Sequence, residues 1–145
     1  MTTYFDTAIL VKAFVLETDS PGAIRLLEEA GEPFSFSHLH ALEIPNAIRR
    51  KRFRGEITRA QETAALRAFQ SDVDAGRFRH LDYDLAEVFI HAERLSAKFA
   101  GDIGARSLDL WHVAAAREGG CATFGSYDAR QRKVAALCGL TVVPA

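Results

Sequence analysis

Four acidic residues lie beside apolar segments, where an ionised carboxylate is costly unless it is paired, hydrogen-bonded or bound to a metal ion. Asp6 and Asp128 each follow a short apolar segment, whereas Glu43 and Asp109 interrupt apolar helical stretches. Two like charges about 4 Å apart repel by roughly 4 kcal/mol at an effective dielectric constant of about 20. If these acids converge, they therefore need a cation, and all-oxygen ligands favour Mg²⁺ or Mn²⁺ over Zn²⁺. Such an ion activates water and stabilises an in-line phosphoryl displacement.

Each acid also has a purely structural interpretation. Asp6 can cap the helix that follows it, and Asp128 can cap the next helix after its own strand. Asp109 can interact with the positive end of its helix, a contact worth about 0.3–1 kcal/mol. Glu43 can face solvent or pair with Arg50. No single acid decides between the interpretations, and only their joint placement favours a metal site.

Short apolar segments alternate with longer helical ones, and these elements must position the acids. We predict strands over residues 2–5, 33–37, 77–83, 121–125 and 140–144. We predict helices over residues 7–16, 20–31, 38–53, 58–75, 85–99, 108–119 and 128–138, with Ser20 as the cap of the second and Ser107 as the cap of the sixth. This alternation implies a mostly parallel sheet covered on both faces, with its site beyond the carboxyl ends of the strands. Asp6 and Asp128 follow strands in that way.

Length and composition favour one cytoplasmic domain over residues 1–145. A net charge of −1 carries no global signature of a nucleic-acid or membrane binder, so any such role needs a local patch. Cys121 and Cys138 are too few and too far apart for a zinc ribbon, and we predict two reduced thiols. No apolar run approaches the roughly 18 residues that a membrane-spanning helix needs, and the N-terminal order differs from that of a signal peptide.

A basic segment over residues 49–55 has two open interpretations. Its members are Arg49, Arg50, Lys51, Arg52 and Arg54, around Phe53. They can neutralise RNA phosphates while the aromatic ring stacks on a base. Cations at a helix C-terminus also interact favourably with the helix dipole on a solvated face. Further along the chain, Arg130, Arg132 and Lys133 extend the basic surface, and we predict a solvated helix face for them.

The histidines are assigned to structure rather than to chemistry. His112 lies one turn after Asp109 on the same helix face, where a zinc ligand or a general base would also fit. We predict a partly buried and hydrogen-bonded side chain instead, because no second histidine lies at zinc-site spacing on that helix. We predict that His38 and His40 lie on the surface.

Four segments resemble, in order, the motifs of PIN-domain proteins. They are YFDTAILVKAF with Asp6, HALEIPNAIRR with Glu43, SLDLWHVAAA with Asp109, and FGSYDARQRKVAALCGLTVV with Ser126 and Asp128. Each motif is weak alone, but four in sequence at fitting spacing are specific. The size and compact build most resemble the VapC-type toxins of bacterial toxin–antitoxin pairs.

The resemblance implies a three-layer α/β/α sandwich with a parallel five-stranded sheet in the order 3-2-1-4-5. It also implies an Mg²⁺- or Mn²⁺-dependent endoribonuclease that leaves a 5′-phosphate and a 3′-hydroxyl. By similarity, one or two ions are held by Asp6, Glu43, Asp109 and Asp128, with Thr7 and Ser126 in support. The expected partners are an RNA substrate, a VapB-type antitoxin and a second copy in a homodimer.

Two departures from the family pattern bear on activity. Position 8 is Ala, where family members often carry a second small polar residue, and Pro45 interrupts the helix of Glu43 at a typical cost of about 3 kcal/mol. The main rival is a PIN-like module that binds RNA or protein without cutting, which intact Asp6, Glu43 and Asp109 argue against. A phosphotransfer enzyme with Asp6 as nucleophile needs a second aspartate two residues later, and Ala8 supplies none.

Overall fold

Parallel strands and helices alternate in the computed structural model, which describes residues 2–145. The strands are β1 (Thr3–Phe5), β2 (Phe34–Phe36), β3 (Phe78–His80), β4 (Thr123–Gly125) and β5 (Thr141–Val143). The helices are α1 (Thr7–Val11), α2 (Ser20–Ala30), α3 (His38–Phe53), α4 (Arg59–Asp74), α5 (Leu85–Leu95), α6 (Gly101–Ile103), α7 (Ser107–Glu118) and α8 (Ala129–Leu137). A π-helical segment, Ser96–Ala100, connects α5 to α6. The predicted α/β class is confirmed, and the alternation fits the three-layer arrangement.

The chain divides into two compact units, each with its own strands and helices. The terminal unit contains the N-terminal residues up to Asp6 together with Leu81–Ala145, and the central unit contains Thr7–His80. Asp6, Asp109 and Asp128 therefore belong to the terminal unit, and Glu43 belongs to the central unit. A single domain over residues 1–145 stays a prediction.

The terminal unit is built on a parallel sheet in the order β1-β4-β5. Phe5 pairs with Gly125 in the register of β1 and β4, and the Phe5 ring occupies the space where a side chain at position 125 would lie. A Cβ atom built there would be 2.3 Å from Cδ1 of Phe5, so only glycine fits. The carboxyl ends of β1 and β4 meet at one edge, and Asp6 and Ser126 follow directly, as the strand prediction requires.

The core of the terminal unit forms between this sheet and its helices. The buried rings of Tyr4 and Phe124 stack on neighbouring strands with their centroids 5.5 Å apart. α7 packs extensively on α5, and every residue from Leu110 to Ala116 is buried. Because most of α7 is buried, the position of its first turn, which carries Asp109, is fixed as well.

The central unit pairs β2 with β3 in parallel and packs α3 against α1 and α4. Four phenylalanines form its aromatic core. The ring centroids of Phe36 and Phe78 are 5.3 Å apart, those of Phe69 and Phe78 are 5.7 Å apart, and those of Phe14 and Phe69 are 5.6 Å apart. Edge-to-face contacts at these distances add stability beyond the buried area.

The ladders account for most of the predicted strand order. β3 with β2, β1 with β4, and β4 with β5 are neighbours in the order 3-2-1-4-5, and each of these pairs forms a parallel ladder. A ladder between β1 and β2 would complete the order, and it is not among the pairings of residues 2–145. The full order therefore stays a prediction.

α3 begins with a reciprocal capping box that the sequence did not suggest. The Ser37 hydroxyl accepts from the His40 backbone N–H at 3.3 Å, and the Ser37 backbone N–H donates to His40 Nδ1 at 3.2 Å. His40 is fully buried, so its predicted surface position is wrong, whereas His38 is exposed as predicted. The helix continues through Pro45 as one element. In the described part of the chain, no helix is both long and apolar enough to cross a membrane.

α1 is shorter than the apolar pattern predicts. It ends at Val11, whereas the predicted helix extends to residue 16. The Ala13 backbone N–H donates to the Leu10 carbonyl, a tighter spacing than that of an α-helix. The Lys12 side chain is buried, and its Nζ lies 3.6 Å from Glu17 and 3.5 Å from Asp19. The tightened turn and these ion pairs replace the last predicted turns of the helix.

Three further helix boundaries differ from the prediction, and at one of them Ser107 is the first residue of α7 and not its cap. Ser20 is the first residue of α2 and not its cap, and its hydroxyl accepts from the Glu17 backbone N–H at 2.6 Å. α5 ends at Leu95, but the π-helical segment and α6 continue the helical path to Ile103, past the predicted end at residue 99. The helical path ends only at Gly104, whose φ of 75° favours glycine.

Candidate active site

Asp6 lies at the carboxyl edge of the terminal unit's sheet with 7% of its surface exposed. Its backbone N–H donates to the Gly125 carbonyl at 2.9 Å and extends the β1–β4 pairing by one residue. Its Oδ2 accepts a hydrogen bond of 2.7 Å from the hydroxyl of Ser126, which is fully buried. The carboxylate is thus oriented by the neighbouring strand end.

Ser126 is the centre of a buried hydrogen-bond network. Its hydroxyl lies 2.7 Å from Asp6 Oδ2 and 2.9 Å from Gln131 Oε1, and it accepts from the Asp128 backbone N–H at 3.0 Å. A hydroxyl carries one proton, so Asp6 and Gln131 share it as acceptors. Gln131 also donates through Nε2 to the Asp109 carbonyl oxygen at 3.3 Å. Three of the predicted acidic residues therefore contact one network.

Gln131 was not predicted as a site residue. It follows Asp128 by three residues, at the position where a glutamine commonly completes a helix N-terminal box. That spacing is the only sequence signal, and it predicts a capping role. Arg132, predicted to be solvated, is half-buried, and its guanidinium donates to the carbonyl oxygens of Ser126 at 2.8 Å and Pro144 at 2.7 Å.

Asp128 caps α8, in agreement with its structural interpretation. Its Oδ1 accepts from the Gln131 backbone N–H at 2.8 Å. Within residues 2–145, its other carboxylate oxygen makes no hydrogen bond or ion pair. Capping therefore uses one oxygen and leaves the other for a further ligand.

Asp109 lies in the first turn of α7, where its charge is favoured by the helix dipole. Its Oδ2 accepts from Arg106 Nε at 3.0 Å, and the Arg106 side chain is 77% exposed. An exposed ion pair of this kind contributes only about 0–1 kcal/mol. A stronger cation can therefore displace the guanidinium at little cost.

Asp109 and Asp128 line one cavity of about 290 Å³ together with Arg106, Ala129 and Arg130. No group of three or more His, Cys, Asp or Glu side chains among residues 2–145 is arranged to hold a metal ion. Mg²⁺, however, usually binds one or two carboxylates and completes its octahedron with waters and substrate phosphates. In donor chemistry the two aspartates fit such an ion, and the arginines fit a phosphate.

In the central unit, Glu43 accepts a hydrogen bond of 2.7 Å from the Thr7 hydroxyl. Both side chains are half-buried, on α3 and α1 respectively. Thr7, predicted as a supporting residue, thus orients Glu43 in this structure.

His112 is buried as a hydrogen-bonded residue, in agreement with its prediction. Its Nδ1 lies 2.5 Å from the hydroxyl of Tyr4, which is fully buried on β1. Tyr4 precedes Asp6 by two residues, and His112 follows Asp109 by one turn. This hydrogen bond therefore ties the strand that carries one aspartate to the helix that carries the other.

The basic segment of α3 is largely paired inside the central unit. The ion pairs join Lys51 to Glu17 and Glu56, Arg52 to Glu62, and Arg54 to Glu56. Hydrogen bonding from Arg54 lowers the pKa of Glu56, in keeping with a formed contact. Arg49 and Arg50 have no carboxylate partner among residues 2–145, and the neighbouring Phe53 is 91% exposed.

The PIN domain family model matches residues 3–137, a span that includes all four predicted acids. The chain belongs to the PIN domain family. The resemblance seen in the sequence motifs is therefore confirmed at the level of the family. PIN domains are generally nucleases.

Solved structures agree with this assignment in fold. VapBC2 from Rickettsia felis, bound to a DNA fragment from their promoter, has a TM-score of 0.62 at 15% identity, with 98% of this chain and 97% of that chain covered. PAE2754 from Pyrobaculum aerophilum has a TM-score of 0.59 at 18% identity, with 99% of this chain and 90% of that chain covered. FitAcB from Neisseria gonorrhoeae has a TM-score of 0.58 at 13% identity, covering 97% and 96%. No curated protein sequence matches the chain.

Proposed function

We propose that this PIN-domain protein is a metal-dependent endoribonuclease that hydrolyses RNA phosphodiester bonds. The cavity shared by Asp109, Asp128, Arg106 and Arg130 carries the proposal. Carboxylates attract a hard cation, and guanidinium groups bind phosphate through charged hydrogen bonds. The cavity thus contains negative charges that would bind a metal ion and positive charges that would bind a phosphodiester.

In this proposal, Asp109 and Asp128 are ligands because they line the cavity, and Asp6 and Glu43 are included on the strength of their motifs. Mg²⁺ or Mn²⁺, when bound, supplies a Lewis acid and an activated water for attack on the phosphorus. The protein's own residues orient the ligands: Ser126 holds Asp6 by the hydrogen bond described above, and Thr7 holds Glu43.

The substrate phosphate is the second ligand that the cavity accommodates. Arg106 and Arg130 both line the cavity, where their guanidinium groups would bind a phosphate. In the central unit, exposed Phe53 with Arg49 and Arg50 offers a stacking and phosphate-binding surface for RNA. By family resemblance, the products carry a 5′-phosphate and a 3′-hydroxyl.

A toxin role completes the proposal. It is supported by the resemblance to VapC-type toxins and by the fold that the chain shares with VapBC2 and FitAcB. In this role the protein acts in the cytoplasm as a homodimer and is restrained by a VapB-type antitoxin. Exposed apolar side chains in the central unit, such as Leu16 and Leu42, suit a protein partner.

Cleavage of structured RNA by the purified protein, in Mg²⁺, in Mn²⁺ and in EDTA, tests this function. We expect fragments with 5′-phosphates in either metal and none in EDTA, and an Asp109→Asn variant should cut at least about a hundredfold more slowly. Asp102→Asn, an exposed acid of α6, is the matched control and should cut normally. Cleavage that continues in EDTA would contradict the proposal.

A non-catalytic module that binds RNA or protein is the second candidate. Two observations favour it: no three-carboxylate group is assembled among residues 2–145, and Arg106 occupies one oxygen of Asp109. RNA binding without cleavage of any RNA tried, in either metal, would support this candidate over the nuclease.

A further inference from the structure

Gln131 is a buried amide, 2% exposed, placed among the acids of the terminal unit. Burial of an amide without hydrogen bonds costs about 1–3 kcal/mol on the scale of protein mutations, and an apolar side chain would fill the same space without that cost. Both ends of this amide are bonded to residues of the candidate site, Oε1 to Ser126 and Nε2 to Asp109. The position of Gln131 therefore indicates a role in fixing the geometry of the candidate site.

Gln131 Oε1 and the Asp6 carboxylate compete as acceptors for the single hydroxyl proton of Ser126. The Ser126 hydroxyl lies within hydrogen-bond distance of both Asp6 Oδ2 and Gln131 Oε1, and a carboxylate is the stronger acceptor. A cation bound to Asp6 neutralises the carboxylate and weakens it as an acceptor. Gln131 then gives the hydroxyl a second acceptor, so the buried Ser126 is satisfied in both states.

The remaining bonds of Gln131 connect two helices. Its Nε2 reaches the Asp109 carbonyl in the first turn of α7, and its backbone N–H holds Asp128 Oδ1 at the start of α8. The side chain thus spans the two helix ends whose carboxylates line the shared cavity.

We propose that Gln131 is a positioning residue: its side chain joins the helix ends that carry Asp109 and Asp128, the two acids of the cavity that would hold a divalent cation, and its Oε1 accepts the Ser126 hydrogen bond when a cation neutralises Asp6. This inference rests on the proposed function, because it concerns the same cation site. It goes beyond that function by assigning a residue that touches neither the cation nor RNA.

Mn²⁺ affinity of the full chain, measured from the free-ion EPR signal, tests the inference independently of activity. Gln131→Met keeps the length of the side chain and removes both amide bonds. We expect its Mn²⁺ dissociation constant to rise about tenfold, within the range seen when the partner of a metal ligand is removed. Val134→Ala is the control on the same helix: it opens a buried cavity and should lower the melting temperature while leaving Mn²⁺ affinity unchanged.

A double-mutant cycle with Ser126→Ala isolates the shared proton. If Gln131 acts through Ser126, the effect of Gln131→Met should be clearly smaller in the Ser126→Ala background than in the unsubstituted protein. Fully additive effects would overturn the shared hydrogen bond. Should Gln131→Met not fold, Gln131→Asn keeps the amide but shortens its reach, and we expect it to weaken Mn²⁺ binding too.

The outcomes separate this inference from the function on which it rests. An unsubstituted protein that binds Mn²⁺ and cuts RNA, beside a Gln131→Met variant of equal Mn²⁺ affinity, overturns the role of Gln131 alone. An unsubstituted protein that binds no Mn²⁺ overturns both. A weaker Gln131→Met beside an unchanged Val134→Ala supports the proposal.

Discussion

The terminal and central units hold their acidic residues in different ways. In the terminal unit, Asp6 is buried and contacts a network of fully buried side chains, whereas Glu43 of the central unit is half-buried and held by the Thr7 hydroxyl. The central unit also has ion pairs near the end of α3, between Arg52 and Glu62 and between Arg54 and Glu56. Under the proposed function, this difference predicts that the terminal unit fixes the reaction geometry and that the central unit binds larger partners. Substitutions in the two units should therefore differ in size and kind.

Loss of Asp6 should have the largest effect. Asp6→Asn keeps the shape of the side chain and an acceptor for the Ser126 hydroxyl but removes the negative charge that would bind a cation. We expect RNA cleavage to fall about a thousandfold, equivalent to several kcal/mol of transition-state stabilisation. Single-turnover cleavage rates check this, with Asp102→Asn as the control. An Asp6→Asn variant of normal rate would remove the terminal unit from the chemistry.

Loss of the Ser126 hydroxyl should come next. Ser126→Ala removes a donor to Asp6 and leaves the Asp128 backbone N–H without its acceptor. Removing such a partner of a metal ligand typically costs about 10–100-fold in metal affinity or activity. Ser126→Thr keeps the hydroxyl and should retain most activity. If Ala and Thr behave alike in Mn²⁺ titrations, the hydroxyl has no part in orienting Asp6.

A Glu43 variant tests whether the central unit contributes less to the cleavage rate than the terminal unit does. Glu43→Gln retains an acceptor for the Thr7 hydroxyl, and we expect a loss of about tenfold in cleavage rate, clearly below that of Asp6→Asn. Parallel rate measurements on the two variants give the ratio directly. A Glu43→Gln loss equal to that of Asp6→Asn would show that both units contribute equally to catalysis.

Arg106 should give the smallest effect, with opposite signs on two ligands. Arg106→Gln removes the guanidinium that competes for Asp109, so Mn²⁺ should bind up to about fivefold tighter, the limit for an exposed pair. The same change removes a phosphate contact and should weaken RNA binding, measured with the non-cleaving Asp6→Asn background. Weaker binding of both ligands would instead indicate a structural role for Arg106.

The positions of the acids could be predicted because they depend on local pattern. Asp6 and Ser126 follow short apolar strands, and parallel strands bring their carboxyl ends to one edge. Asp109 and Asp128 lie in or just before the first turn of a helix, which capping and helix periodicity identify.

The misses depend on contacts between distant residues. Gln131 was not predicted as a site residue, because only the fold brings it to Ser126 and Asp109. The predicted helix after Asp6 is too long. A tight turn and the ion pairs of Lys12 end the helix, and neither can be recognised from the pattern of apolar residues. His40 is different, since Ser37 three residues earlier is a local capping signal that would have placed it at a helix start.

The central claim is that the acids of the terminal unit hold the cation that cleaves RNA, and a change of metal preference tests it most directly. Asp109→Cys replaces a hard oxygen ligand with a soft thiolate, which disfavours Mg²⁺ and suits softer divalent ions. We predict that this variant is inactive in Mg²⁺ and regains cleavage in Mn²⁺ or Cd²⁺, while Asp109→Asn stays inactive in all three. Asp109→Cys cutting RNA in Mg²⁺ at the unsubstituted rate, or Asp109→Asn being rescued equally well, would contradict the claim.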